Sequence, residues 1–212
     1  SLQEEYALKI YSCQSIWYGR KEKIFGSKKE RDGLIEYTKK ALAFAEAVGA
    51  GSIVFGCPKN RNGFKKSPQE NSKISTEFFN KLADIAGEYH VMISIEANPV
   101  LYGTDFLTST EEAIDFIARL NRDYIGLNLD IGTMLYNLEK MNSIKGYEKF
   151  IGHVHISEPC LLEIKERKEH KDIVDFLKVA GYDKAVSIEM QKQESIEGIC
   201  KAMRYIKRIF NP

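Results

Sequence analysis

Cysteine is sparse and scattered: Cys13, Cys57, Cys160 and Cys200 share no paired spacing. That pattern excludes a disulfide framework and a thiolate zinc site as organising devices. Histidine occurs only four times in 212 residues, too few for a centre built mainly from imidazole. Proline occurs five times and no tract is dominated by Pro, Gly or Ser, so no linker divides the chain. One domain over residues 1–212 is expected. Neither charge is in excess, with 31 basic and 30 acidic residues. A field that would hold a nucleic-acid backbone or an anionic membrane is therefore lacking, and a small molecule is the expected partner. No apolar run approaches the roughly 20 residues needed to cross a bilayer. Ser1 to Glu5 do not have the basic-then-apolar layout of a signal peptide, so a cytoplasmic location is expected.

What the chain does have is alternation. Short apolar runs of strand length are each followed by a longer helical pattern, as in parallel βα units. Six strands are predicted: Tyr6 to Gln14, Ser52 to Cys57, Val91 to Glu96, Tyr124 to Asp130, Phe150 to Ile156 and Lys184 to Glu189. Buried helical stripes run through Leu34, Tyr37, Ala41, Ala45 and Val48, then Phe78, Leu82, Ile85 and Tyr89, then Ile114, Ile117 and Leu120. Ile173, Phe176, Leu177 and Ala180, and finally Ile196, Ile199, Met203 and Ile206, continue the series. A weaker helix is predicted over Thr133 to Met141, and a long loop over Lys59 to Ser72. Gly49 and Gly181 stand where helix C-terminal glycines belong. The fold class is α/β, a TIM-barrel-like parallel array, and six units fall two short of the eight that close such a barrel.

Four predicted strands end at or beside a residue able to ligate a metal: Glu96, Asp130, His155 and Glu189. Parallel βα arrays gather all strand C-termini on one rim. Side chains two apart share a face of the sheet, and Ser94, Asn128, His153 and Ser187 stand behind the four. The intervening positions are Ile, Leu and Val. The polar set therefore faces one interior and the apolar set faces the helices. Three carboxylates crowded together repel, which calls for a cation. An oxygen-rich site with one imidazole suits Mn²⁺, Co²⁺ or Mg²⁺, with Zn²⁺ also compatible.

The segments Gly56 to Arg61 (GCPKNR), Ser94 to Pro99 (SIEANP), Leu129 to Gly132 (LDIG), His153 to Ser157 (HVHIS), and Gly181 to Asp183 with Ser187 to Met190, resemble the sugar phosphate isomerase/epimerase family. The resemblance runs from about Tyr6 to about Phe210. It implies a xylose-isomerase-like TIM barrel whose first two βα units are missing here, and one divalent metal ion held by Glu96, Asp130, His155 and Glu189. It also implies an enzyme, a sugar isomerase or epimerase, in which Glu96 and Glu189 exchange a substrate proton on opposite faces of an enediolate. Many epimerases of that family carry a histidine where this chain has Thr133, so Thr133 is expected to contact substrate as a hydrogen-bonding group without charge.

Lys59 and Arg61 stand beyond a strand end either as phosphate or carboxylate binders or as a solvated basic loop; Asn98 either orients a substrate hydroxyl or turns the chain before Pro99; and Gln14 and Trp17 after the first strand suit a sugar, Trp17 alternatively serving as packing. His153 is expected beneath the site and Cys57 as a buried thiol. Two other functions compete. A non-catalytic sugar-binding or regulatory protein could retain the fold, with a homodimer covering the open edge. An abasic-site nuclease like endonuclease IV, which shares the superfamily, would need more histidines and a basic face.

Overall fold

The computed structural model describes residues 2–63 and 66–210. Six strands form one sheet in chain order, every neighbouring pair parallel: β1 (Ser12–Cys13), β2 (Ser52–Phe55), β3 (Met92–Glu96), β4 (Ile125–Asp130), β5 (Ile151–Ser157) and β6 (Val186–Glu189). Parallel neighbours need crossovers, and helices supply them. A single turn, α1 (Leu2–Glu5), precedes β1. Then come α2 (Lys28–Ala47), α3 (Pro68–Glu88), α4 (Thr110–Leu120), α5 (Ile131–Tyr136), α6 (Lys168–Val179) and, after β6, α7 (Ile196–Phe210).

The sheet curls into a half-barrel. In a flat sheet β1 and β5 would stand four strand spacings apart, roughly 19 Å. Instead His153 Nε2 of β5 lies 3.3 Å from Ser12 Oγ of β1 and 3.0 Å from Ser187 Oγ of β6. Ser52 Oγ of β2 meets Ser94 Oγ of β3 at 2.7 Å. The concave face is thus mostly polar, with Val54 beside Ser94 an apolar exception, and a contiguous apolar cluster lies between sheet and helices, including Phe55, Ile93, Ile95, Leu127, Leu129, Val154 and Ile156. Leu34, Phe78, Leu82, Ile114, Ile117, Ile173 and Leu177 meet them from the helices, in agreement with the helical stripes.

Five strands fall within two residues of their predicted bounds. The first does not: Tyr6 to Gln14 was expected, and only Ser12–Cys13 pairs with β2. Tyr6, Leu8, Ile10 and Tyr11 are exposed, and the backbone of Ala7 and Leu8 turns back onto α1. With no strand on the far side of β1 among the described residues, nothing draws that segment into extended pairing. The short helix also differs, running over Ile131–Tyr136 rather than Thr133 to Met141. Asp130 caps it directly from the strand end by accepting from the Thr133 amide, and Leu138 adopts a left-handed conformation beyond it. The Lys59 to Ser72 loop is shorter than expected, because Ser67 and Glu70 form a capping box that starts α3 at Pro68. Phe64 and Lys65, within that loop, lie outside the described residues. Gly49 and Gly181 both take left-handed conformations just past α2 and α6, as their positions suggested.

The stripe on α7 is only partly buried. Ile196, Ile199 and Met203 are exposed while Ile206 is covered. Together with Leu177, Val186 and Ile188 they border a groove of about 1200 Å³ along the free edge of β6.

One irregularity tunes the interior. The β4–β5 register shifts by one residue between Leu127 and Asn128, a β-bulge in which Gly152 is the extra residue. A Cβ on Gly152 would lie 2.4 Å from Met92 Sδ and 2.5 Å from Ser94 Oγ, so only glycine leaves room for the Met92 side chain that fills this end of the interior. Gly152→Ala is expected to cost about 1–3 kcal/mol of stability through overpacking, checked by urea denaturation.

Candidate metal centre

Glu96, Asp130 and Glu189 are the last residues of β3, β4 and β6, and His155 lies two residues before the end of β5. Parallel pairing brings them to one rim, and one potential ligand atom from each lies within 4.8 Å of all the others. The centre of the cluster is His155 Nδ1, at 3.1 Å from Glu189 Oε2, 3.3 Å from Glu96 Oε2 and 4.0 Å from Asp130 Oδ2.

Each carboxylate is held by donors from the same rim. Glu96 accepts from Asn98 Nδ2 and Asn128 Nδ2, both at 2.7 Å. Asp130 accepts from Ser157 Oγ at 2.6 Å and from the Thr133 amide at 2.5 Å. Gln14 Nε2 donates to Glu189 Oε1 at 2.6 Å. Burial drives the Glu96 carboxyl upward, but hydrogen bonds from His155 and Asn98 and the charges of His155 and Arg61 outweigh it, so Glu96 titrates below its ordinary range. Burial, followed by the charge of Glu96, pushes Asp130 well above the usual carboxylate range. Burial opposes the charge on His155, yet its bonds to Glu189 and Glu96 raise its pKa to about 10. An imidazolium thus neutralises part of the carboxylate charge in the ion-free protein.

A divalent ion fits these residues. Metal–ligand distances of about 2.0–2.6 Å allow donors up to about 5.2 Å apart, more than the observed spread. Three carboxylates and one imidazole form an oxygen-rich set for a hard or borderline cation. Asn98 Oδ1 and Asn128 Oδ1 are buried beside the cluster without a protein partner, and Asn98 with Glu96, Asp130 and Glu189 lines a rim cavity of about 180 Å³.

The remaining expected site residues divide. Gln14, Asn98 and Thr133 line that cavity, as do Tyr102, Tyr136 and Glu158. The Thr133 hydroxyl donates to the Ala97 carbonyl at 3.1 Å, which leaves its lone pairs available. Lys59 is exposed and outside the cavity lining. Arg61 corrects the expectation of an anion-binding rim cation. It is 0 % exposed, donates to the Glu96 and Leu107 carbonyls at 2.7 and 3.3 Å, and lies over the Phe55 ring. Its guanidinium braces the backbone behind Glu96. Trp17 is likewise a core residue, packed edge-on against Phe55 and Phe78 with its indole N–H donated to Thr38. Cys57 is a half-buried thiol that burial pushes up to about 11, far from nucleophilic activation. His153 sits beneath His155, their rings edge to face at 5.1 Å, and burial holds it neutral, with a pKa of about 4.

Several contributors escaped the sequence reading. Asn128 was visible as an in-phase polar residue, but its role as the second amide on Glu96 was not. Ser157, two residues after His155, carried the same signal of phase. The pairing of buried Glu158 with Arg167 through three hydrogen bonds had no local sequence signature.

A family model described as xylose isomerase-like TIM barrel matches residues 16–209. The chain belongs to the xylose isomerase-like TIM barrel family. Solved structures of similar fold include 3-keto-D-glucoside 4-epimerase, YcjR, from E. coli, with a TM-score of 0.80 and 14% identity over 97% of this chain and 81% of that one. The IOLI protein, solved with a bound zinc atom, aligns with a TM-score of 0.75 and 19% identity over 99% and 80%. A protein described as AP endonuclease, family 2, from Brucella melitensis gives 0.76 and 17% over 96% and 81%. No curated protein matches by sequence. At these identities the likeness establishes the barrel, with six of its strands present here.

Protons held by His155 and Asp130 must leave before either residue ligates an ion. Both groups bind protons more tightly than their ordinary values, so metal affinity is expected to rise steadily with pH between roughly pH 6 and 8. At neutral pH, calorimetry in two buffers of different ionisation enthalpy should show release of roughly one to two protons per ion. Absence of proton release would contradict the imidazolium assignment.

Proposed function

We propose that this protein is a divalent-metal-dependent isomerase or epimerase acting on a ketose, an inosose or a related sugar. One observation carries the reading: Glu96 from β3 and Glu189 from β6 approach the same point from different parts of the curved sheet, with Asp130 and His155 between them. Folding alone gives no reason to cluster three carboxylates inside a barrel, since their repulsion opposes it.

In this reading Glu96, Asp130, His155 and Glu189 hold one ion, Mn²⁺, Co²⁺, Mg²⁺ or Zn²⁺. When bound, it would supply Lewis acidity to a substrate carbonyl and its neighbouring hydroxyl. Glu96 and Glu189 flank the carbon between those groups. One removes its proton and the other returns a proton to the opposite face, giving an epimer through an enediolate; return at the neighbouring carbon gives an isomer. Asn98 offers its free Oδ1, and Thr133 its hydroxyl lone pairs, to substrate hydroxyls. The cavity walls of Tyr102 and Tyr136 suit a sugar ring.

The nuclease alternative has less support. Only one group of metal-binding side chains occurs among the described residues, and it contains one histidine. His90 and His170 bond to tyrosines elsewhere, and the near-zero net charge offers little to a phosphate backbone. A non-catalytic sugar-binding protein is tested by the same measurements as the enzyme. A cytoplasmic location accords with the absence of a membrane-length apolar helix among the described residues, without resting on it. A homodimer is proposed to cover the open edge of the barrel; sedimentation velocity should give twice the 24.2 kDa chain mass, and a monomer at micromolar concentration would exclude it.

The deciding experiment is hydrogen exchange at carbon in deuterated water, over a panel of ketoses and inososes, on protein of measured metal content. Glu189→Gln should lower exchange at least about 100-fold, the usual contribution of a positioned base, even when metal saturation is confirmed. Undiminished exchange would leave Glu189 without a role in proton transfer.

A further inference from the structure

We propose that Gln14 is a positioning residue for Glu189, holding that carboxylate toward the ion across the gap between the two free edges of the sheet, and not a substrate contact. The proposal rests on the metal-site reading above. It begins from unequal support among the four ligands. Among the described residues β3, β4 and β5 are each paired on both sides, whereas β6 is paired only with β5. The side chains of Glu96, Asp130 and His155 are 10, 8 and 4 % exposed, and that of Glu189 is 23 % exposed. A glutamate at an unpaired edge keeps more rotamer freedom, and fixing it costs entropy that only added bonds offset.

Glu189 finds two such bonds. Oε2 faces His155 Nδ1 inside the cluster at 3.1 Å, and Oε1 accepts from Gln14 Nε2 at 2.6 Å. Gln14 directly follows β1, at the opposite end of the sheet from β6, so this bond spans 175 residues of sequence. Directly beneath it, His153 links Ser12 and Ser187 across the same gap. Two side-chain rungs therefore join the edges where no backbone pairing does. The upper rung ends on a proposed ligand. A neutral amide suits the task, because it anchors one carboxylate oxygen by a charge-assisted bond and leaves the other its lone pairs for the ion. Partners of this kind behind metal ligands contribute about 10–100-fold in affinity. Gln14 is itself exposed, so its replacement should leave the core intact.

The test is a Co²⁺ titration followed by visible absorption, with the wild type, Gln14→Met, Gln14→Asn and Glu189→Gln compared. Methionine keeps the length without a donor; asparagine keeps the amide but is too short to span. Both Gln14 variants should bind Co²⁺ about 10–100-fold more weakly, with altered d–d bands and an unchanged melting temperature for the ion-free protein. A substrate contact would behave differently: KM would rise while Co²⁺ affinity and spectrum stayed at wild-type values, and that result overturns the proposal. If Glu189→Gln weakens Co²⁺ binding and the Gln14 variants do not, the metal site stands and the Gln14 proposal fails. If Glu189→Gln also leaves binding unchanged, the metal-site reading fails and takes the proposal with it.

Discussion

The mutual repulsion of three carboxylates around one imidazole is the constraint on which this structure turns. Glu96, Asp130 and Glu189 cannot sit at one rim of a water-poor interior unless donors meet them, and each is met. Two asparagine amides serve Glu96, a serine hydroxyl and a backbone N–H serve Asp130, and a glutamine amide serves Glu189. His155 stands between all three with a pKa raised to about 10. The arrangement also dictates where the hydrophobic core lies. Because the concave face carries Ser52, Ser94, Asn128, His153 and the clustered carboxylates, the contiguous apolar core lies between sheet and helices, with Met92 and Val54 the apolar exceptions on the polar side.

That division of faces made much of the molecule legible from sequence. Isoleucine, leucine and valine alternate with polar residues on β3 to β6, and with a period of two the polar phase could only converge. The identity of the clustered residues follows from that alternation, and the order of the six strands from the sequential βα units. Other features depended on contacts that sequence distance does not encode. Tyr6 to Gln14 carries a strand-like composition, but a strand needs a partner, and beyond β2 the segment has none among the described residues. Arg61 lies four residues past Cys57, within reach of the rim, yet a left-handed turn at Cys57 followed by a 3-10 turn redirects the chain. The guanidinium then enters the protein behind Glu96 instead of projecting over the cavity. Trp17 turns inward to Phe55 and Phe78 in the same way. In both cases composition identified a residue suited to a sugar or an anion, and packing assigned it elsewhere.

The loss of Arg61 and Lys59 from the cavity changes what the rim can recognise. Its lining offers amides, hydroxyls and two tyrosines, and its buried acid Glu158 is matched by Arg167. Hydroxyl-rich ligands meet such a surface with hydrogen bonds of ordinary strength and no need for a counter-charge. A phosphate would find no unpaired cation among those lining residues.

The four clustered residues also differ in what fixes them, and the difference bears on the proposed mechanism. Glu96 is braced from every side: Asn98 and Asn128 hold its oxygens, and Arg61 holds its own backbone carbonyl. Glu189 projects from an edge strand and is the most exposed of the set. A proton acceptor must move slightly toward carbon as the bond breaks, and a carboxylate gripped by two buried amides resists that motion more than one held by His155 and a single exposed amide. If both glutamates transfer protons, their barriers should therefore be unequal, with the step at Glu189 the easier. Glu189 is also the more exposed of the two, so on the proposed mechanism a proton on that carboxylate would equilibrate with water faster than one on Glu96. On that proposal, isotope from solvent would enter the product through the face assigned to Glu189. The proposed stereochemistry of exchange thus traces to a feature of the fold, the edge position of β6 among the described residues.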